Sequence, residues 1–152
     1  IGQNSICLIP AIPENHRIRA QSSLKLAREL EEDNMAEEHY KGGCQCGAVK
    51  YEVDVDIDQS ITCNCSRCQP LGMVLAFTPR TKFHLHSGSD ALTEFRFNKK
   101  SIEHLFCKIC GVESFAYGQL PDGTQMAAIN VNCLEDVDPR ALQTQHMDGR
   151  SA

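Results

Sequence analysis

The sequence predicts a mainly β, antiparallel, zinc-binding domain with little helix and one short helix near the N-terminus. Three observations carry that expectation. Val49, Tyr51, Val53, Val55 and Ile57 alternate with Lys50, Glu52, Asp54 and Asp56, and a sustained period of two marks a strand with one buried face. Short apolar runs follow it, separated by Gly, Pro, Asn and Asp turn residues. Seven of the nine cysteines sit in C-x-C or C-x-x-C spacings. Bridges within such pairs would close tiny strained rings, whereas the same spacing lets each group turn toward one ion.

Bulk properties narrow the function classes. A chain of 152 residues is long enough for one domain with its own core. A net charge of -5 and a pI near 5.6 argue against a nucleic-acid or anionic-membrane partner, both of which need a basic face. Neither a membrane-length apolar run nor a secretory signal pattern is read in the sequence. The expected location is therefore cytoplasmic, where thiols stay reduced and close spacing means metal or redox work. Cys7 and Cys133 stand apart from the clusters and read as small buried apolar residues.

In chain order, residues 1–38 form an N-terminal extension and residues 39–152 the zinc domain. Pro10 and Pro13 break the first apolar stretch, and Ser22 or Ser23 caps a short helix over residues 22–33. Met35 reads as a natural start, which makes residues 1–34 an added leader or, on the other reading, a genuine N-terminal arm. His16 and His39 read as solvated. Gly43-Cys44-Gln45-Cys46-Gly47 is a glycine-flanked C-x-C turn, followed by the alternating strand. Asp54, Asp56 and Asp58 lack the glycine and terminal glutamate of a calcium loop and read as a solvated strand face.

A short strand at residues 60–62 then enters Cys63-Asn64-Cys65-Ser66-Arg67-Cys68, with three thiols in six residues. Three sulfurs from one segment without an evident fourth ligand suggest a centre with a place left open. Residues 72–78 read as a buried strand, and Phe83 and Leu85 alternate with His84 and His86, two histidines read as exposed rather than as ligands. Residues 92–97 and 102–106 form a hairpin around Asn98-Lys99-Lys100. It runs into Cys107-Lys108-Ile109-Cys110-Gly111, a zinc knuckle whose glycine permits the chain reversal. Residues 112–117 and 126–131 read as further strands around a Pro121-Asp122-Gly123 turn, and a turn or strand lies near residues 142–146.

A tetrahedral structural zinc takes four sulfurs, which leaves three. Cys44, Cys46, Cys107 and Cys110 make the economical set of four, with Cys63, Cys65 and Cys68 at a second zinc. Spacing alone leaves other divisions open, such as Cys44 and Cys46 with two of the three.

The blocks Gly43–Gly47, Cys63–Cys68 and Phe106–Gly111, with Asn130-Val131-Asn132-Cys133-Leu134 and Asp148-Gly149-Arg150, resemble the glutathione-dependent formaldehyde-activating enzyme family, whose domain also occurs in centromere protein V. The resemblance spans residues 40–150. It implies a β-tent fold, a structural zinc on Cys44, Cys46, Cys107 and Cys110, and a catalytic zinc on Cys63, Cys65 and Cys68. Two residues or runs depart from the pattern. Gln45 stands where many members carry His, and Gln69-Pro70-Leu71-Gly72 stands where members often carry basic residues, leaving Arg67 and Arg80 as nearby cations.

The implied activity is that of a carbon–sulfur lyase, an S-(hydroxymethyl)glutathione synthase that adds the glutathione thiol to formaldehyde or a related small aldehyde. Ser66, Asn64, a histidine or water would supply the product's proton. Two other readings fit the same residues: a module that binds glutathione or another small thiol without turnover, and a structural zinc domain for a protein partner.

Overall fold

The computed structural model describes residues 37–151. The helix expected over residues 22–33, the reading of residues 1–34 and Cys7 lie outside the described residues. In chain order the strands are β1 (Glu38–Gly43), β2 (Lys50–Val55), β3 (Ile61–Cys63), β4 (Val74–Pro79), β5 (Phe83–Ser87), β6 (Leu92–Phe95), β7 (Glu103–Cys107), β8 (Glu113–Gln119), β9 (Gln125–Asn130) and β10 (Gln145–Met147). One α-helical turn, α1 (Cys68–Leu71), and four 3-10 turns complete the described residues. The fold is mainly β, as the alternation and turn spacing lead one to expect.

The strands form two sheets, of order β1-β2-β5 and β10-β3-β4-β9-β8-β7-β6. On β2 the apolar members Tyr51, Val53 and Val55 are buried and Glu52 and Asp54 face outward. Glu52 there meets His86 at 3.0 Å and Lys41 at 3.7 Å. The buried face packs across to the large sheet. Tyr51, Phe83 and Phe115 have ring centroids 4.6 to 5.5 Å apart, which joins β2 and β5 to β8. Ile129 and Val131, both fully buried, fill the same core.

Two features depart from the sequence expectation. β10 lies parallel to β3, with Gln145 opposite Ile61 and Met147 opposite Cys63. All of β4 to β9 lies between them in sequence, ample chain for the crossover that a parallel pair needs. α1 replaces the loop expected after Cys68. Pro70 fits it because a first helical turn has no use for that N–H, and Gly72 closes it at φ 58°.

The second face of the large sheet has its own apolar cluster, built from Ile61, Met73, Leu75 and the three cysteines of the C-x-C-x-x-C loop. Strand register places a row across this face. Phe77 is opposite Ala128, Ala128 opposite Ala116, Ala116 opposite His104 and His104 opposite Phe95. Directly opposed residues share a face. Two alanines in the middle of that row leave a hollow between larger neighbours.

Candidate metal centres and the adjoining pocket

Two turns carry four of the thiols. Between β1 and β2, the Cys44 N–H donates to the Val49 carbonyl at 3.1 Å and the Val49 N–H donates back to Cys44 Sγ at 3.3 Å. Gly47, at φ 76°, reverses the chain. Between β7 and β8, Cys107 donates to Val112 at 2.9 Å and Gly111, at φ 78°, donates to Cys107 at 2.7 Å. The two turns bring Cys44, Cys46, Cys107 and Cys110 together with all sulfurs within 4.8 Å of one another. Cys44 and Cys46 are 3.5 Å apart and Cys46 and Cys107 are 3.7 Å apart. Sulfurs on a tetrahedral zinc, with bonds of about 2.3 Å, stand about 3.8 Å apart, so the donor set fits that ion.

The turns also favour charge on sulfur. The Val112 amide, helped by the backbone at Cys46, draws the Cys110 thiol down to about 6. Burial pushes the Cys44 thiol up, but the Val49 amide and the neighbouring thiols outweigh it and hold Cys44 low. Cys46 has the Ala48 amide in its favour, yet the adjacent Cys44 and the other thiols push it up to about 12. The surroundings thus lower Cys44 and Cys110 and raise Cys46. A bound cation would let all four ionise.

The second group lies on one loop. Cys63 ends β3, Cys68 begins α1 and Cys65 lies between them, all buried. Their sulfurs fall within 4.8 Å of one another. The Cys65 N–H donates to Cys63 Sγ at 3.4 Å and the Cys68 N–H to Cys65 Sγ at 3.3 Å, so the loop folds around its own sulfurs. No His, Asp or Glu joins either group among the described residues. His86 Nε2 lies 3.0 Å from Glu52 Oε2.

The C-terminal stretch straps this loop down. Asn64 Nδ2 donates to Asp148 Oδ1 at 2.7 Å, and the Arg150 N–H donates to Asn64 Oδ1 at 3.1 Å. Arg150 also reaches the Asn64 carbonyl at 2.8 Å and Gln69 Oε1 at 2.8 Å. Between them Gly149 is buried against Cys63. Asn64 is therefore committed to the strap, and Ser66 is exposed.

A pocket of about 440 Å³, counting its open mouth, adjoins the loop at Cys68. Its wall is formed by Met73, Leu75, Phe77 and Phe115, with Ala116 and Ala128 in the hollow of the large sheet. His104 and Glu113 also face it. Both are buried, at 4% exposure each, and His104 Nδ1 lies 2.7 Å from Glu113 Oε1. Arg67 donates to Glu113 Oε2, from Nε at 2.9 Å and also from Nη2. Its guanidinium lies over Phe95, 5.1 Å from the centroid.

Sequence reasoning missed this trio. It treated Arg67 and Arg80 as cations near the thiol loop. Arg67 is spent on Glu113, and Arg80 lies over Tyr117 at 3.8 Å. The near cation it did not single out as one is Arg150. His104 and Glu113 are nine residues apart and meet only because β7 and β8 pair. Cys133 is half-buried rather than buried as expected, and burial pushes its thiol up to about 11.

Fold and site together define a cysteine-rich, mainly β protein with two thiol groups arranged so that each could hold a metal ion. The family model for the glutathione-dependent formaldehyde-activating enzyme matches residues 39–147, and the chain belongs to that family. The chain is also similar to a Rhodobacter sphaeroides protein of known crystal structure, with 30% identity and a TM-score of 0.63, over 70% of this chain and 97% of that one.

Proposed function

We propose that the protein joins the thiol of glutathione to formaldehyde or a related small aldehyde, forming S-(hydroxymethyl)glutathione, as a carbon–sulfur lyase working in its reverse direction. In this reading Cys44, Cys46, Cys107 and Cys110 hold a structural zinc. Cys63, Cys65 and Cys68 hold the working one. The observation that carries it is the three-thiol loop itself. Its buried sulfurs converge from one segment, and Cys68 borders an apolar pocket.

Zinc held by three thiolates would supply a soft coordination place that accepts a further sulfur and lowers the pKa of its thiol. The protein's own residues do the rest. The amides of Cys65 and Cys68 hold the ligand sulfurs in place. The four-thiol group ties the β1–β2 turn to the β7–β8 turn. The apolar wall of the pocket suits an uncharged carbonyl compound. In the overall addition a carbon–sulfur bond forms, the carbonyl π bond becomes a C–O–H group, and one proton passes from sulfur to oxygen.

The clustered thiols suit a reducing compartment such as the cytoplasm. The partners are a small thiol and a small aldehyde, with no nucleic acid or membrane among them.

Thiols add to formaldehyde unaided, so the test is a rate above that background. Zinc-loaded protein should accelerate formation of S-(hydroxymethyl)glutathione, and Cys65→Ser should return the rate to background. Glutathione binding without acceleration would instead favour a thiol-binding module.

A further inference from the structure

We propose that His104, positioned by Glu113 and Arg67, carries the proton between the reacting thiol and the carbonyl oxygen in the pocket beside the three-thiol loop. The proposal rests on the function proposed above and gives it a proton carrier.

His104 Nε2 is buried without a hydrogen-bond partner among the described residues. Buried polar atoms are nearly always satisfied, and a histidine kept only for packing would have both ring nitrogens paired or one of them in water. The partnered side of this ring is well defined. Glu113 places Oε2 on Arg67 and Oε1 on His104 Nδ1. A carboxylate held by a guanidinium accepts hydrogen bonds, which assigns the proton to Nδ1. Nε2 is then the bare, basic nitrogen of the neutral ring and the N–H donor of the imidazolium. The Glu113 carboxylate supports the imidazolium when it forms.

The surroundings define what Nε2 can meet. The ring sits on the pocket wall, in the same row as Ala116 and Ala128, and shares the pocket with Cys68. Phe97 packs against the ring, with centroids 5.2 Å apart. The ionisable groups around the ring and pocket are Glu113, Arg67, Tyr117 and the loop thiol of Cys68.

The step balances without a further reactant. Neutral His104 takes the thiol proton at Nε2, the sulfur electron pair forms the bond to carbon, and the carbonyl π pair moves to oxygen. The imidazolium then returns its proton to that oxygen.

The experiment uses the full chain loaded with zinc, glutathione and formaldehyde. His104→Gln should keep wild-type zinc content and wild-type protection of zinc by glutathione. Its rate above background should fall about 100-fold or more, with loss of the pH dependence that the wild type shows. Glu113→Gln should lower the rate above background and shift that pH profile. In nitrogen NMR of the unmutated protein, adding both reactants should move the Nε2 resonance of His104 and leave Nδ1 in place.

A fully active His104→Gln would overturn the proposal, and so would loss of zinc or glutathione protection along with the rate. An Nε2 signal unmoved by the reactants would overturn it even if the variant fails to fold. A wild type with no rate above background would remove the proposed reaction itself, an outcome distinct from these.

Discussion

A side-chain carbon on Gly149 would stand 2.5 Å from Cys63 Sγ and 3.0 Å from Cys65 Cβ. The C-terminal segment therefore presses bare backbone onto the three-thiol loop, where any larger residue would displace a sulfur. Gly149→Ala should lose the metal at Cys63, Cys65 and Cys68 and keep the one at the four-thiol group. Zinc per chain would fall from two toward one, with an overpacking cost of about 1–3 kcal/mol in denaturant unfolding.

The strap should matter more for metal retention than for folding. The Asn64–Asp148 bond is exposed, so breaking it should change stability little. Hydrogen bonds from Ser151 and then Asn64 hold the Asp148 carboxyl below its ordinary value. A lowered folded-state pKa stabilises above the ordinary value, and that contribution fades as the pH falls through the lowered one. Asp148→Asn should lose zinc to a chelator several-fold faster at pH 7. The two proteins should converge only in acid. Equal release rates at pH 7 would show that the strap does not guard the site.

Arg67 is the counter-ion of a buried carboxylate. Arg67→Ala leaves Glu113 charged at 3% side-chain exposure and should cost about 3 kcal/mol, the lower end of what breaking a buried pair costs. Adding Glu113→Gln to Arg67→Ala should recover part of that loss. Chemical denaturation of the single and double variants checks this.

The two thiol groups should fail differently. Cys107 is fully buried at the junction of two hairpin turns, and a metal held there would contribute to folding directly. Cys107→Ser should lower the melting temperature strongly or give insoluble protein. Cys65→Ser should stay folded, because the loop cysteines belong to a buried cluster separate from the Tyr51, Phe83 and Phe115 core, but should lose glutathione protection. Thermal melting and zinc analysis of both variants compare them.

Local signals were legible in the sequence. The β2 alternation from Val49 to Val55 needs no knowledge of the fold, because a period of two is a property of the chain itself. The cysteine spacings marked the thiols as metal-type clusters but left their division open, and the fold decides it by bringing Cys44 and Cys46 to Cys107 and Cys110. What depends on register was hidden. The hollow beside Cys68 exists because Ala116 and Ala128 are opposed, and nothing local to either residue reports that. His104 and Glu113 read as ordinary polar residues until β7 and β8 pair. The one available signal was Glu113 itself, an acid among the apolar residues that follow the C-x-x-C-G turn. α1 was hidden because four residues are too few for helical periodicity.

The most direct test of the account is zinc per chain, by elemental analysis under reducing conditions, before and after mild chelation, with and without glutathione. The expected result is two zincs, of which chelation removes one, glutathione protects it, and Cys65→Ser never binds it. Two zincs that resist chelation alike, or one zinc whatever thiol is present, would contradict an open thiol-accepting centre at Cys63, Cys65 and Cys68.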